Sequence, residues 1–340
     1  MKHHCVIRRS LVAGTLAALV LARTAAYASE QDVFRVTFLG TGAPRPSLSR
    51  YGASMLVEAG QRKLLVDAGW GLRERLYEAG SFELLVSLDH VLLTHLHYDH
   101  TVGLPDLWLT GWLYGRRVPL NVQGPKGTVA MLGDIRHAFD WDIAYRGLVG
   151  VPLAGSEFDS ADISEGVVYD RDGLIITAFE VAHMPIDLTT RRPLAFEGQT
   201  LGYRIDYRGR SLVVSGDTRP TENLVKHGAH ADVLVHEVQV PSPGETPEAR
   251  LANVSLSVHS TPDEAGGIFA RVQPRMAVYS HIIPPDVKPD ELVAATRATY
   301  DGPLTVAHDL MMITIGDRIE VADRPRLEEQ TFEKSRVLKR

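Results

Sequence analysis

Cysteine is almost absent from this sequence: the single cysteine among 340 residues is Cys5. A disulfide needs two cysteines, so no disulfide within the chain can hold the fold. Apolar packing, and any metal that the chain binds, must provide the stability instead. Cys5 also stands before the first apolar run, whereas a lipoprotein signal requires its cysteine after that run.

Long basic runs are lacking as well, and the formal net charge is −6. Nucleic-acid-binding surfaces concentrate lysine and arginine, so this composition predicts no nucleic-acid partner. No Pro/Ser-rich linker or break in composition divides the chain, which predicts one domain over residues 29–322. Residues 323–340 are highly charged and are expected to form a solvated tail. A homo-oligomer is neither predicted nor excluded.

No apolar run is long enough to span a bilayer, which takes about 20 helical residues. A basic segment ending in Arg8-Arg9 precedes the apolar run Leu11–Ala22, and Ala26-Tyr27-Ala28 follows it. This order predicts a signal peptide over residues 1–28 with cleavage after Ala28. The mature protein is therefore expected to be periplasmic or secreted, without stable membrane insertion, and the paired arginines are compatible with a twin-arginine export route.

Apolar β-branched and leucine-rich runs alternate with amphipathic stretches from Val33 onward. The runs predict strands, and the stretches predict helices that cover a sheet, so the chain is expected to be α/β. The predicted strands are Val33–Leu39, Ser54–Val57, Lys63–Asp67, His90–Thr94, Val118–Val122, Leu174–Glu180, Leu201–Tyr207, Ser211–Ser215, Val233–His236 and Met276–Ser280, and the predicted helices are Leu72–Ala79, Gly127–Phe139 and Pro262–Val272.

The strongest local signal is the segment THLHYDH at residues 94–100, directly after an apolar run. Side chains two apart in an extended chain point to the same side, so His95 and His97 can bind one metal ion. The turn that follows lets Asp99 and His100 reach a second ion. Packing explains so dense a group of ligand-type side chains poorly, and the segment therefore predicts a metal site.

Three more ligand-type residues follow predicted strands: His183, Asp217 and His281. Sites in α/β proteins lie where buried strands meet loops. Two ions need more ligands than residues 95–100 supply, and a catalytic zinc keeps one position open for water. These three residues are therefore expected to complete a site for two metal ions.

The order HLHYDH, a later histidine, Ser215-Gly216-Asp217 and a final histidine resembles the metallo-β-lactamase superfamily. Further motifs are similar to its ribonuclease Z and arylsulfatase-like branch: Leu39-Gly40-Thr41-Gly42, Val66-Asp67-Ala68-Gly69, Gly216-Asp217-Thr218, His236-Glu237 and His259-Ser260-Thr261. The resemblance covers nearly all of the chain after residue 28. It is specific for the fold and much less so for the substrate.

The resemblance implies an αββα sandwich that holds two metal ions, expected to be zinc, although other divalent metals fit. One ion would lie on His95, His97 and His183, the second on Asp99, His100 and His281, with Asp217 bridging the two. Two cations that share a water lower its pKa and give a hydroxide nucleophile near neutral pH.

The resemblance also implies that His259 protonates the leaving group and that Glu237 orients it; Asp99 is counted with them among the catalytic residues. Alternatively, His259 only begins a helix that Thr261 caps. Asp67 resembles the carboxylate that orients a ligating histidine in the family, or it caps its turn.

Trp108, Trp112 and Tyr114 follow the metal motif, with Arg116 and Arg117 next to them. These residues form either an aromatic wall with a cationic rim beside the metals, or core packing and a solvated edge. The wall, together with export, favours a metal-dependent hydrolase of the arylsulfatase or phosphodiesterase kind that cleaves a sulfate or phosphate ester of a small, aryl-type substrate.

Three alternatives remain open at this point. The same site suits a lactone or β-lactam hydrolase, or a ribonuclease Z-like phosphodiesterase that processes tRNA 3′ ends. The Gly/Pro-rich arm and the arginine after the last metal histidine, both typical of ribonuclease Z, are not evident in the sequence. The third alternative is a non-catalytic periplasmic zinc-binding protein, which would not need Asp217 as a bridge or His259.

Overall fold

A computed structural model of the chain describes residues 32–325, except 186, 188, 191–193, 195–198, 243, 247–248 and 250–253. The predicted signal peptide, residues 1–28, and most of the predicted tail lie outside the described residues. Within the described residues, we find no helix whose length and apolarity would let it cross a membrane.

The strands occur where runs of β-branched and leucine side chains end at Gly, Pro or Asp. They are β1 (Phe34–Gly40), β2 (Ser54–Ala59), β3 (Arg62–Val66), β4 (His90–Leu92), β5 (Leu120–Gly124), β6 (Phe158–Asp162), β7 (Gly166–Arg171), β8 (Leu174–Val181), β9 (Thr200–Tyr207), β10 (Arg210–Val214), β11 (Val233–Gln239), β12 (Met276–Ile283), β13 (Leu304–Val306), β14 (Met311–Ile315) and β15 (Ile319–Asp323).

The helices connect these strands and cover the outer faces of the sheets. They are α1 (Leu72–Val86), α2 (Tyr98–Thr101), α3 (Leu104–Tyr114), α4 (Thr128–Ala138), α5 (Asp140–Leu148), α6 (Glu222–Gly228), α7 (Pro262–Val272) and α8 (Pro289–Thr296), with a 3₁₀ turn at Leu153–Ser156. The start of α7 shows why a helix begins there: Thr261 and Glu264 form a capping box, and Pro262 occupies the first helical position.

Two sheets lie face to face. One has eight strands in the order β15-β14-β1-β2-β3-β4-β5-β6, and the other has seven in the order β13-β12-β11-β10-β9-β8-β7. Their facing sides share one apolar core that includes Phe38, Val57, Tyr203 and Val235. Two further apolar clusters lie under the helices, one on the outer face of each sheet. These layers confirm the expected αββα sandwich.

The parallel strands explain where a site can form. In the first sheet β3, β4, β5 and β6 run parallel, and in the second β10, β11, β12 and β13 do so. Parallel strands bring their carboxyl ends to one edge of the sheet, where the following loops meet. The loop after β4 carries four of the predicted ligands and the loop after β10 carries Asp217, so both sheets contribute to the same edge of the sandwich. His183 lies beyond the end of β8, and His281 lies within β12.

Candidate metal centre

The first set of ligand atoms comes from both sheets. The loop after β4 carries His95 and His97, whose Nε2 and Nδ1 atoms lie 3.0 Å apart. His183, two residues beyond β8, places its Nε2 atom 3.2 Å from the same Nδ1 atom of His97. Tetrahedral zinc with Zn–N bonds of about 2.0–2.1 Å spaces its nitrogen ligands about 3.3 Å apart. The three rings are therefore spaced as one ion requires.

The second set lies next to the first. The short helix α2 turns Asp99 and His100 away from His97, and Asp99 Oδ2 lies 3.3 Å from His281 Nε2 and 3.5 Å from His100 Nε2. All three side chains are buried. Two nitrogen donors and one carboxylate oxygen at these distances form a second group that can hold a divalent ion.

Asp217 connects the two sets. Its Oδ2 atom lies 3.3 Å from His281 and 3.4 Å from His100 in the second set, and 3.9 Å from both His95 and His183 in the first. The turn before it is tight, because Gly216 has a φ of 61° and a Cβ there would approach Leu201 O to 2.6 Å. The backbone thus fixes the carboxylate between the two groups of histidines.

An irregularity between two parallel strands directs His281 inward. The β11–β12 pairing passes from His236↔Tyr279 to Val238↔Ile282, so Glu237 alone faces both Ser280 and His281. This is a β-bulge, which re-aims side chains near sites. His281 has a φ of 48°, a strained value for a residue with a Cβ, which the surrounding structure must impose.

Burial sets the protonation of the first group. It lowers the pKa of His95 well below the usual value and also lowers the pKa values of His97 and His183. Near pH 7 these imidazoles are therefore neutral, and the neutral ring offers a lone pair to a metal. For Asp217 burial acts in the opposite direction, but attraction by His281 and His100 keeps the pKa of its carboxyl well below the usual range.

Partnerless buried atoms test whether the cluster fits a metal. Among the described residues, Asp217 Oδ1 and His100 Nε2 are buried without a hydrogen-bond partner. Buried polar atoms normally have partners, because an unmade hydrogen bond costs about 1–3 kcal/mol. The cluster is therefore incomplete without a ligand, and its set of imidazole and carboxylate donors fits a divalent metal.

Several contacts outside the cluster fix the ring orientations. His183 Nδ1 donates to Val258 O at 2.9 Å, and His100 Nδ1 donates to Asp67 Oδ2 at 2.8 Å, so both Nε2 atoms face the cluster. Asp67 also accepts from the backbone N–H and the hydroxyl of Thr94. Asp67 thus has both of the roles that the sequence suggested: its carboxylate fixes the loop at Thr94, and it orients His100.

His259 and Glu237 lie beside the bridging carboxylate. His259 Nδ1 lies 3.2 Å from Glu237 Oε2 and 3.9 Å from Asp217 Oδ2. Burial alone would lower the pKa of His259, but the nearby Glu237 and Asp217 carboxylates raise it to about 9. The imidazole is therefore charged near pH 7. The structure thus brings together all of the predicted site residues: His95, His97, Asp99, His100, His183, Asp217, Glu237, His259 and His281.

Sequence reasoning missed a cavity of about 320 Å³ that opens next to His95, His97 and His183. Lys126, Met184 and Gln199 contribute to its wall. One signal was available, because Pro125-Lys126-Gly127 directly follows β5, as the ligand loops follow other parallel strands. Met184 and Gln199 gave no such signal, since folding alone brings them there.

The hypothesis of an aromatic wall beside the metals is wrong. Trp108 and Trp112 are fully buried in the apolar cluster under the first sheet, and Arg116 is buried with its guanidinium donating to Trp108 O and Gly155 O. Both indoles lie on the face of α3 that packs into the core, so they contribute stability and do not line the metal centre.

Comparisons with known proteins agree with this geometry. The chain matches the Beta-lactamase superfamily domain over residues 62–282. Ribonuclease Z of Mycobacterium avium (strain 104) is 32% identical to it, over 83% of this chain and 99% of that protein. Human tRNase Z, short form, is 21% identical with a TM-score of 0.61, covering 83% of this chain and 99% of that one. Zn(2+)-bound PqqB from Methylobacterium extorquens is 20% identical with a TM-score of 0.59, covering 82% and 99%.

The sandwich and its histidine–aspartate cluster define a metal-dependent hydrolase that binds divalent metal. The chain belongs to the metallo-β-lactamase superfamily, in its ribonuclease Z branch. The predicted family and branch are thereby confirmed.

One expectation is overturned by these relatives. The sequence predicted a small-molecule ester substrate and no nucleic-acid partner, whereas relatives matched along almost their whole length are ribonucleases. The physical reason is that net charge averages over the whole surface, while substrate binding depends on the few groups around the site. The arylsulfatase-like specificity likewise finds no support in the comparisons.

Proposed function

We propose that this protein is a divalent-metal-dependent phosphodiesterase that cleaves phosphodiester bonds in RNA. The observation that carries the proposal is the joining of two donor sets by Asp217, with the charged His259 3.9 Å from the same carboxylate oxygen. Its ribonuclease Z relatives support RNA as the substrate. An arrangement of this kind places positive charge and a proton donor around one reacting group.

The chain's own residues would bind two zinc ions in the two donor sets. When bound, such ions supply a water-derived nucleophile and offset negative charge on the phosphate. His95, His97 and His183 are neutral and face one position, and Asp99, His100 and His281 face the other. Asp67 holds His100 in the orientation that this requires.

His259 would donate the proton that the leaving ribose oxygen needs. The Glu237 carboxylate 3.2 Å away raises the pKa of His259, which favours the protonated ring, and it fixes the orientation of that ring. An alkoxide is a poor leaving group, so its protonation lowers the barrier. Asp99 is a catalytic residue here through its place in the second donor set.

The predicted signal peptide determines which RNA the protein meets. We propose that residues 1–28 direct export, so that the substrate is RNA outside the cytoplasm. Amino-terminal sequencing of the protein from a periplasmic fraction tests this, with Ser29 expected as the first residue. An uncleaved chain in the cytoplasm would contradict export and leave the proposed chemistry intact.

A substrate panel tests the proposed activity. Zinc-loaded protein is assayed on a tRNA precursor with a 3′ trailer, a single-stranded oligoribonucleotide and bis-4-nitrophenyl phosphate, alongside 4-nitrophenyl sulfate and nitrocefin. We expect hydrolysis of the phosphodiesters only, and two zinc ions per chain by elemental analysis. Turnover of the sulfate or of nitrocefin with the phosphodiesters intact would overturn the proposal.

A further inference from the structure

The cavity beside the first donor set has the character of a binding site. It opens at His97, the exposed member of that set, and its wall is mostly apolar, with Leu96, Pro125 and Met184. Gln199 adds a polar edge, because its amide nitrogen donates to Glu180 and its oxygen is not used in that bond. Apolar walls with a few polar groups are typical of pockets that hold small organic groups.

The turn that carries Lys126 is tightly built. Gly127 has a φ of 104° and a Cβ there would approach Leu96 to 3.2 Å, while a Cβ on Gly124 would approach the Thr128 hydroxyl to 2.6 Å. Thr128 also donates its hydroxyl to Pro125 O at 2.7 Å. Because the glycines and this bond fix the turn, the lysine is attached to a rigid base at the cavity wall.

The helix that follows this turn does not offer its own anion site. At the N-terminus of α4, Asp162 accepts from the backbone N–H groups of Gly127 at 3.1 Å and Val129 at 2.9 Å. The carboxylate therefore already occupies the place that a phosphate would take at a free helix N-terminus. Among the described residues that line the cavity, Lys126 brings positive charge to this wall, and its side chain is exposed.

We propose that this cavity binds the nucleoside next to the scissile phosphate and that Lys126 contacts the phosphate on its far side. The proposal rests on the proposed function and specifies how the same site selects its substrate. The apolar wall contacts the faces of the base, and Gln199 lies at its edge. A second phosphate on the far side of that nucleoside would then add a contact that an ester with a single phosphate lacks.

The test compares substrates with one and with two phosphates. Zinc-loaded wild-type protein and Lys126→Ala are assayed on thymidine 5′-(4-nitrophenyl phosphate) and on a uridine trinucleotide. We expect Lys126→Ala to raise KM for the trinucleotide about tenfold more than KM for the ester, since a charged hydrogen bond to phosphate is lost. Lys126→Arg should retain the wild-type ratio, and Lys226→Ala on α6, which removes the same charge away from the cavity, should match wild type.

A binding measurement keeps the test independent of turnover. Kd is measured for a trinucleotide whose linkages carry a bridging methylene and cannot be hydrolysed. We expect Lys126→Ala to weaken binding about tenfold and to reduce the slope of log Kd against log salt by about 0.7, the value for one phosphate contact on a single strand.

The outcomes separate this inference from the proposed function. An equal effect of Lys126→Ala on both substrates, or no effect on Kd, overturns the nucleoside site even when phosphodiesters are hydrolysed. If wild type hydrolyses no phosphodiester, the proposed function fails, and the Kd measurements still decide whether Lys126 contacts the outer phosphate.

Discussion

Two buried clusters of charged residues differ in how their groups are paired. On β1 and β2, Glu58 accepts two bonds from Arg35, at 2.6 and 2.7 Å, and another from Arg324. In the metal centre, by contrast, buried atoms of Asp217 and His100 have no hydrogen-bond partner among the described residues. The first cluster is complete with protein groups alone, and the second is completed by a ligand.

The difference separates stability from function. A buried carboxylate whose oxygens are all paired with arginines serves to hold a region of the fold together, because it has no unpaired oxygen left to bind a ligand. Buried ligand atoms without a hydrogen-bond partner lower the stability of the fold. Proteins keep such atoms where a function requires them. Mutations in the Glu58 cluster should therefore change stability, and mutations in the metal centre should change activity and metal binding.

The largest effect is expected from Asp217→Asn. The change removes a negative charge that lies next to histidines of both donor sets, while keeping the side-chain shape. We expect loss of bound zinc and a fall in phosphodiester hydrolysis on the order of 10³-fold, because several kcal/mol of charge stabilisation are lost. Elemental analysis and initial rates measure this, with the fully exposed Asp317→Asn as control. Normal zinc content with full activity would remove Asp217 from the centre.

His259→Ala should affect turnover without affecting zinc content. We expect kcat on RNA to fall by about 10²- to 10⁴-fold, the usual value of a general acid. A 4-nitrophenolate leaving group needs no proton, so the loss on bis-4-nitrophenyl phosphate should be much smaller. Rates on both substrates and zinc content per chain give the answer. Equal losses on both substrates would rule out proton donation and leave His259 with a structural role at the start of α7.

Asp67→Asn tests the contact that orients His100. The amide keeps the turn but loses the charged partner of His100 Nδ1 at 2.8 Å. We expect zinc affinity to fall by about 10- to 100-fold, as is usual for a group behind a ligand. Competition with a chelator measures the affinity. Unchanged affinity would mean that Asp67 only caps its turn.

Glu58→Gln should change stability and leave activity unchanged. The lost charge leaves Arg324 buried without its partner, and we expect unfolding to become easier by about 2 kcal/mol, less than for a fully buried pair because Arg35 is partly exposed. Urea denaturation of zinc-free and zinc-loaded protein measures this. Loss of activity with an unchanged free energy of unfolding would contradict this prediction, because Glu58 would then act in function and not in stability.

The effect of Glu58→Gln on the free energy of unfolding should depend on pH. Burial alone would raise the pKa of Glu58, but the hydrogen bonds from Arg35 and Arg324 leave it lowered in the folded state. A lowered pKa contributes stability above the unfolded value of about 4.3 and loses it as pH falls through the folded value. The gap between wild type and Glu58→Gln should therefore shrink below about pH 4.3. A gap that widened there would contradict the pairing.

The metal centre was predictable because its residues are of rare type and regular placement. Histidines two apart after an apolar run, and single ligands after other runs, mark the ends of strands that meet at one edge. The Glu58 cluster was not predictable, since Arg35 and Arg324 are ordinary charged residues and only the fold brings them together.

Sequence reasoning also failed where the periodicity of a helix decides the outcome. Trp108 and Trp112 lie four apart on α3, so both point to the same face, and that face is the core. Proximity in sequence to His100 said nothing about which face they occupy. The strands β6, β7, β13, β14 and β15 were missed as well; β6 and β7 are only partly buried and lack the apolar signal.

The bulge opposite Glu237 couples two parts of the proposed chemistry through the backbone. The same local offset aims a ligating histidine and places the carboxylate that accompanies His259, so a one-residue deletion at Ser280 would rotate His281 to the other side of its strand and misplace Glu237 relative to it. Metal binding and proton donation can therefore be lost together through a backbone change that touches neither side chain.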